Sequence, residues 1–133
     1  MTAPAISVRA AHGGDAPAAA ACVNAAFEPY VERIGKPPAP MLSDYVALAA
    51  EGKVWVAERD GRVVGVLVQY ETEDGFYIDT VAALPEMHGT GVGRALLQFA
   101  EGEARARGFE SIYLCTNSRM TENQVFYLSL IHI

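Results

Sequence analysis

The sequence predicts one mixed α/β domain over residues 1–133, with the element order β-α-α-β-β-β-α-β-α around a mostly antiparallel central sheet. Three observations predict it. The length and a hydrophobic content of 51% suit a single packed core. Two β-branched runs flank the turn dipeptide Asp60-Gly61, which is typical of a hairpin. A strand–helix–strand unit comes late in the chain, around a helix that begins near Gly91 or Val92.

The first part of the chain predicts a strand and two helices. Residues 5–10 alternate apolar and polar side chains, as a half-buried strand does. The alanine-rich run 13–27 predicts a helix with Asp15 as its N-cap. Residues 28–41 contain four prolines, which predict a partly ordered loop with a short helical piece. Ser43 is then expected to cap a second, short helix.

The second part of the chain supplies most of the predicted sheet. The run around Val63–Val68 is apolar on both faces, as expected of a central strand covered on both sides. Trp55, on the strand before it, is expected in the core. The helix after the glycines carries an apolar stripe and should end at Gly108. The remaining predicted elements are strands at 53–58, 62–71, 75–84 and 110–116 and a last short helix at 120–130.

Composition and charge narrow the function classes. A formal net charge of −6 argues against nucleic acid as a partner, because such binders usually carry a basic face. The sequence has neither a run of about 18 apolar residues nor a signal-peptide pattern at its start, so we expect no membrane partner and a cytoplasmic location. Cys22 and Cys115 lie far apart in apolar surroundings, which predicts buried free thiols. The two cysteines belong to no cluster of metal-ligating residues, so the sequence predicts no metal site.

The most informative stretch is the loop 88–93, HGTGVG, at the mouth of the late helix. Free backbone N–H groups, a helix dipole and missing side chains together form an anion-binding arrangement. Arg94 could add positive charge. A P-loop is excluded because no Lys-Ser/Thr pair follows, and a dinucleotide-binding fold is excluded because several strands precede the glycines. The stretch instead fits the pattern Q/R-x-x-G-x-G/A, with His88 in the place of its first residue.

This pattern, the helix after it, the segment ARARGF and the following strand resemble the GCN5-related N-acetyltransferase (GNAT) family. The strongest part of the resemblance covers residues 78–114, and the whole of it runs from the first strand to about Leu130. It implies that the loop N–H groups hold the pyrophosphate of acetyl-CoA as cosubstrate, while the backbone of the preceding strand pairs with the pantetheine arm. The implied cofactor-binding residues are Val81, Ala82, Ala83, His88, Gly89, Thr90, Gly91, Val92, Gly93 and Arg94.

The resemblance also implies roles in catalysis. Tyr127 matches, by position, the tyrosine that protonates the leaving thiolate in many members of the family. The resemblance implies that the strand segment Val81–Ala83 splays from the strand at 110–116. The general base should be a carboxylate near this splay, and Asp79 is the leading candidate, with Glu58 and Glu71 on the hairpin strands as open alternatives. Direct attack of an amine on the thioester in a ternary complex is expected, because no cysteine is placed to act as an acyl carrier, and no metal is expected to take part.

The acceptor is expected to be a primary amine of a small molecule or a peptide. In this family the segment after the first helix shapes the acceptor pocket. In this sequence that segment contains Tyr30, Glu32 and Arg33. The sequence does not identify the amine, because loops and lids differ most between relatives that share a fold.

Three departures from the family pattern leave alternatives open. His88 and Thr90 stand where basic or amide side chains are usual, so the cradle carries less positive charge. The family pattern continues after Leu130 with further strands that this sequence does not contain. The sheet edge near residues 110–116 is then open, and a second copy pairing along it would form a homodimer. A catalytically weak or inactive acyl-CoA-binding module, or a purely structural dimerisation domain, would also fit these departures.

Overall fold

A computed structural model describes residues 5–35, 39–73, 75–87, 89–109, 111–118 and 122–129. Within them, six strands form one sheet in the order β1-β2-β3-β4-β5-β6, and every neighbouring pair is antiparallel except β4 and β5, which are parallel. The predicted mixed α/β fold with a mostly antiparallel central sheet is therefore confirmed. The strands are β1 (Ser7–Ala10), β2 (Val54–Arg59), β3 (Arg62–Thr72), β4 (Gly75–Ala83), β5 (Ser111–Ser118) and β6 (Glu122–Ser129), and the helices are α1 (Ala16–Ile34), α2 (Tyr45–Ala50) and α3 (Val92–Ala106).

The core lies on both faces of β3. Residues 64–69 of this strand are all buried, and both α1 and α3 contact it. The hairpin turn between β2 and β3 is built as predicted, with positive φ at both Asp60 (55°) and Gly61 (75°), as a type I′ turn requires. Trp55 is buried and its ring lies 6.0 Å from that of Phe99 on α3.

Two predicted details of the first half are wrong. Helix α1 continues through Pro29 to Ile34 and ends only at Gly35, whose φ is 78° and whose N–H donates to Val31 O. A proline in a helix removes one hydrogen bond, and here good helix formers on both sides outweigh that loss. The cap of α2 is Asp44 rather than Ser43, because Asp44 Oδ1 accepts a hydrogen bond from the Ala47 N–H at 3.1 Å.

The last predicted helix is also wrong: residues 122–129 form strand β6, which is antiparallel to β5 over eight residue pairs. The run Val125–Leu128 is apolar, β-branched or aromatic, and such residues favour strands. The predicted helix of about three turns gains little by itself, whereas pairing along β5 satisfies the backbone groups on that edge. The predicted open edge at residues 110–116 is therefore wrong, because β6 covers it, and the homodimer predicted along this edge loses its basis. In the part of the chain that the structure describes, no helix combines the length and the apolar character needed to cross a membrane.

Candidate active site

Strand β4 contains a β-bulge at Asp79. In the β3–β4 register Val68 lies opposite Thr80 and Gln69 lies opposite Ile78, so Asp79 has no partner residue on β3. A bulge turns the side chains of the bulged strand and increases its twist. The hydroxyl of Thr80 donates to Asp79 Oδ1 at 3.4 Å, which shows that both side chains lie on the same side of the strand.

The same point ends the pairing of β4 with β5. The parallel register runs only from Phe76 to Ile78, so, among the described residues, 79–83 have β3 as a neighbour on one side and no paired strand on the other. Leu84 N–H donates to Val64 O at 3.0 Å, and backbone groups alternate in direction along an antiparallel strand. The N–H and C=O groups of Val81 and Ala83 therefore point away from β3, into the gap between β4 and β5.

The start of α3 also leaves backbone donors free. Gly91 is the N-cap, with a φ of 92°, and no side chain makes a capping hydrogen bond to this helix. The hydrogen bond from Ala95 N–H to Gly91 O, 2.9 Å, begins the helical ladder. The N–H groups of Val92, Gly93 and Arg94 consequently lack acceptors within the helix.

A cleft of about 420 Å³ joins these two features. The open part of β4 and the first turn of α3 form its walls, and Met87 closes one side. Seven of the predicted cofactor-binding residues line it together with Met87, which sequence reasoning missed because a single apolar residue in a loop carries no signal. The lining residues are Val81, Ala83, Met87, Gly89, Gly91, Val92, Gly93 and Arg94.

Of the other three predicted cofactor-binding residues, Ala82 and Thr90 do not line the cleft. Ala82 is buried in the core, and its N–H faces β3 by the same alternation. The N–H and the hydroxyl of Thr90 both donate to Met87 O, at 3.1 and 2.6 Å. Thr90 therefore stabilises the turn before the helix and offers no free backbone donor. His88 lies outside the described residues.

The three cleft glycines have different reasons to be glycine. Gly89 and Gly91 have φ values of 80° and 92°, a region that other residues rarely adopt. Gly93 has no such φ, and a Cβ added there would have no heavy atom within 4 Å. Neither backbone nor packing requires glycine at 93, so what its missing side chain provides is open space in the cleft.

Of the three candidate bases, Asp79 is the one beside the open part of β4. Its Oδ2 accepts a hydrogen bond from the Tyr70 hydroxyl at 3.1 Å. Burial, together with the charge of Asp79, raises the pKa of Tyr70 to about 12. Glu58 instead pairs with Arg9 at 2.6 Å, and Glu71 pairs with Arg107 at 3.6 Å.

A row of three tyrosines, which the sequence did not predict, lies next to Asp79. Tyr70 is opposite Tyr77 in the β3–β4 register, and Tyr77 is opposite Tyr113 in the β4–β5 register. Their ring centroids are 5.5 and 4.9 Å apart. This row of tyrosines could have been predicted only from the strand register, because the three residues are scattered along the sequence. Lys53 Nζ lies 5.0 Å from the Tyr70 ring centroid.

The predicted acid Tyr127 lies on β6, where its backbone is opposite Tyr113. Its side chain lies outside the described residues, and so do the side chains of Tyr30, Glu32 and Arg33 at the end of α1. The geometry therefore places seven of the predicted cofactor-binding residues in one cleft, with Asp79 two residues before Val81 on the same strand. The roles of all these residues, the proton donor and the acceptor pocket stay predictions.

Known proteins match both the sequence and the fold. The profile of the Acetyltransferase (GNAT) family matches residues 19–130. The aminoalkylphosphonate N-acetyltransferase of Salmonella typhimurium is 35% identical over 79 aligned positions, in an alignment that covers 55% of this chain and 51% of that protein. The chain thus spans about half the length of this curated relative.

Solved structures share the fold at low sequence identity. The PaiA N-acetyltransferase of Thermoplasma acidophilum, in complex with coenzyme A, superposes with a TM-score of 0.74 at 13% identity, over 88% of this chain and 82% of that one. A GNAT family acetyltransferase of Brucella melitensis, in complex with acetyl-CoA, gives 0.63 at 19% identity over 96% and 98%. With the family profile matching most of its length, the chain belongs to the GNAT family of acetyltransferases.

Proposed function

We propose that this chain is an N-acetyltransferase, which transfers the acetyl group of acetyl-CoA to a primary amine by direct attack in a ternary complex. The single observation that carries the proposal is the cleft in which the unpaired part of β4 meets the uncapped start of α3. Backbone donors at a helix start suit a pyrophosphate, and an open strand edge suits an extended amide-bearing chain such as pantetheine. Membership of the GNAT family also supports acetyl-CoA as the substrate.

Different residues of the cleft would bind different parts of acetyl-CoA. The free N–H groups of Val92, Gly93 and Arg94 would hold the pyrophosphate, with the Arg94 side chain adding positive charge. The outward backbone groups of Val81 and Ala83 would pair with the pantetheine amides. One of these N–H groups would also stabilise the negative charge that develops on the thioester oxygen.

The transfer itself needs a base and an acid. Asp79 would take a proton from the acceptor, so that the neutral nitrogen forms the C–N bond and the C–S bond breaks. The thiolate that leaves takes a proton, for which Tyr127 is the proposed donor. The state of Cys22 favours direct transfer over transfer through an acyl-cysteine. The Cys22 thiol is buried and burial raises its pKa to about 11, so this thiol would be a poor acyl carrier.

The acceptor is proposed to be a small molecule or a peptide with a primary amine. The matched Salmonella typhimurium protein is named for aminoalkylphosphonates, which makes these compounds the first acceptors to test. The cytoplasmic location proposed from the sequence is independent of this choice.

An amine panel tests the activity. Release of free thiol from acetyl-CoA is measured with aminoalkylphosphonates, amino acids, polyamines and a peptide N-terminus, and mass spectrometry identifies the acetylated product. We expect turnover with at least one amine and a loss of about 100-fold or more in kcat for Asp79→Asn, with coenzyme A binding retained. Tight binding of acetyl-CoA without turnover of any amine would instead favour a non-catalytic acyl-CoA-binding module.

A further inference from the structure

Tyr70 lies between two opposite charges on the Asp79 side of the sheet. Its hydroxyl donates to the Asp79 carboxylate at 3.1 Å, and its ring carries the Lys53 ammonium 5.0 Å from the centroid. A single side chain thus separates a carboxylate from an ammonium group at the end of the paired part of β4. An acceptor lying over this ring would meet both charges.

The backbone of Lys53 is held in place. Its N–H donates to Leu48 O at 3.0 Å, and its carbonyl accepts from Gln69 N–H at 3.1 Å. These bonds fix the residue between the end of α2 and strand β3. The contact of an ammonium group with an aromatic face then keeps the long side chain over Tyr70.

The Lys53 ammonium is also available to a ligand. It forms an ion pair with Glu51 at 3.6 Å, with side chains 36% and 54% exposed. An ion pair this long and this exposed is weak, because water screens it and both side chains are flexible. An anion that also gains the adjacent ring surface can therefore displace Glu51.

We infer that the acceptor is an amine that also carries an anionic group, with the amine nitrogen at Asp79, the anionic group at Lys53 and the linking carbons over the Tyr70 ring. The inference rests on the proposed function and specifies its substrate class. A zwitterion of this kind places each of its charges opposite a charge of the protein. A neutral or dicationic amine would leave Lys53 unmatched or repelled.

Three short amines with matched chain length test the inference: 2-aminoethylphosphonate, β-alanine and ethanolamine. We expect the unchanged protein to have a higher kcat/KM for the two anionic amines than for ethanolamine. Lys53→Met keeps an unbranched side chain over the ring but removes the charge. It should lower the ratio of kcat/KM for 2-aminoethylphosphonate over ethanolamine about tenfold. Comparison of the first two amines distinguishes a phosphonate from a carboxylate preference.

Arg59→Met is the matched control. It removes one positive charge from the far end of β2, about 20 Å from Lys53 along the strand. It should leave the ratio unchanged, since long-range attraction over that distance is screened. Equal ratios in the two variants, or a preference of the unchanged protein for ethanolamine, would overturn the inference while leaving the acetyltransferase activity in place.

Direct binding separates the inference from the proposed function. If no amine is acetylated, the proposed function fails, and 2-aminoethylphosphonate is titrated calorimetrically into the protein saturated with coenzyme A. Binding that weakens about tenfold in Lys53→Met and not in Arg59→Met would still support the anion site. Absent or equal binding would refute it.

Discussion

Helices α1 and α3 begin in opposite ways. At α1, the buried carboxylate of Asp15 accepts hydrogen bonds from Arg9 at 2.8 and 2.9 Å and from the His12 N–H at 2.9 Å. At α3, the N-cap is Gly91, no side chain caps the helix and the first turn contains no acidic residue. Neither helix has a side-chain capping hydrogen bond, but the N-cap residue of α1 carries a carboxylate, whereas the N-cap residue of α3 is a glycine.

The difference is that α3 lacks a stabilising carboxylate at the helix start where a ligand is proposed to bind. An anion near a helix N-terminus is stabilising because it faces the helix dipole and the unpaired N–H groups. In α1 the chain supplies that anion, and Arg9 holds it in place. In α3 its absence leaves a weak point in the free protein, which the pyrophosphate of the proposed substrate would compensate.

The largest effect is expected from giving α3 an anion of its own. Gly93→Asp places a carboxylate in the cleft at a position with an ordinary φ and no heavy atom within 4 Å of the new Cβ. Coenzyme A should bind at least about 100-fold more weakly, because like charges repel in a site that must accept a pyrophosphate. Isothermal titration calorimetry measures the change.

Gly102→Asp is the matched control for this variant. Gly102 lies on the same helix, also with ordinary φ and open space around a new Cβ, but it does not line the cleft. It should bind coenzyme A about as well as the unchanged protein. If both aspartate variants keep full affinity, the start of α3 is not the pyrophosphate site.

The reverse change makes α1 resemble α3. Asp15→Asn removes the charge that Arg9 binds and leaves a guanidinium group without its main partner. The free energy of unfolding should fall by about 2 kcal/mol, as for other hydrogen bonds to charged groups. Urea unfolding measures it, and coenzyme A affinity should not change, because the residue is remote from the cleft lining.

An exposed ion pair provides the comparison for Asp15. Arg62 and Glu86 approach to 2.9 Å, but both side chains are more than half exposed. Glu86→Gln should lower the free energy of unfolding far less than Asp15→Asn does, because water screens an exposed ion pair. Equal losses in the two variants would mean that the buried position of Asp15 has no special effect on stability.

The contribution of Asp15 to stability should also depend on pH. The guanidinium of Arg9 holds the pKa of the Asp15 carboxyl well below its usual range. The folded protein then keeps Asp15 ionised at pH values where the unfolded chain binds a proton. The contribution of Asp15 to stability should be constant above about pH 5 and decrease as the pH falls through the ordinary aspartate pKa of about 4.

Thermal or urea unfolding between pH 3 and 7 tests this dependence. The difference in stability between the unchanged protein and Asp15→Asn should be full at neutral pH and shrink toward pH 3. A difference that stays the same at every pH would contradict an ionised, Arg9-bound carboxylate.

Local patterns in the sequence predicted the features that depend on neighbouring residues. The glycine run gave the open helix start, and the Asp60-Gly61 dipeptide gave the hairpin turn. Positive φ and a strand-to-helix loop are encoded within a few residues, so one sequence is enough to find them. The cleft lining at Val81 and Ala83 followed from the family resemblance.

Features that depend on strand register could not be predicted in this way. The bulge at Asp79 and the tyrosine row each require knowing which residues lie opposite one another, whereas the separation of β4 from β5 beyond Ile78 followed from the family resemblance. The same holds for β6, where pairing with β5 overrode a predicted helix. Long-range pairing decides these features, and local propensity does not contain it.

The smallest expected loss of coenzyme A affinity concerns Gly65, which sets how closely the open helix start approaches the sheet. A Cβ at this position would lie 2.6 Å from Val92 Cγ1 and 3.0 Å from Leu96 Cδ1, both on the first turns of α3. Gly65→Ala should therefore lower the free energy of unfolding by about 1 kcal/mol through overpacking. Because Val92 lines the cleft, coenzyme A affinity should fall a few-fold as well.

Gly102→Ala is the control for this change. It adds the same methyl group to a helical position with open space, and it should raise stability by about 1 kcal/mol because alanine is the better helix former. Coenzyme A affinity should change in Gly65→Ala and not in Gly102→Ala. If Gly65→Ala lost stability with no change in affinity, the first turn of α3 would keep its place while the strand absorbed the strain, and the position of the open helix start would not depend on contact with β3.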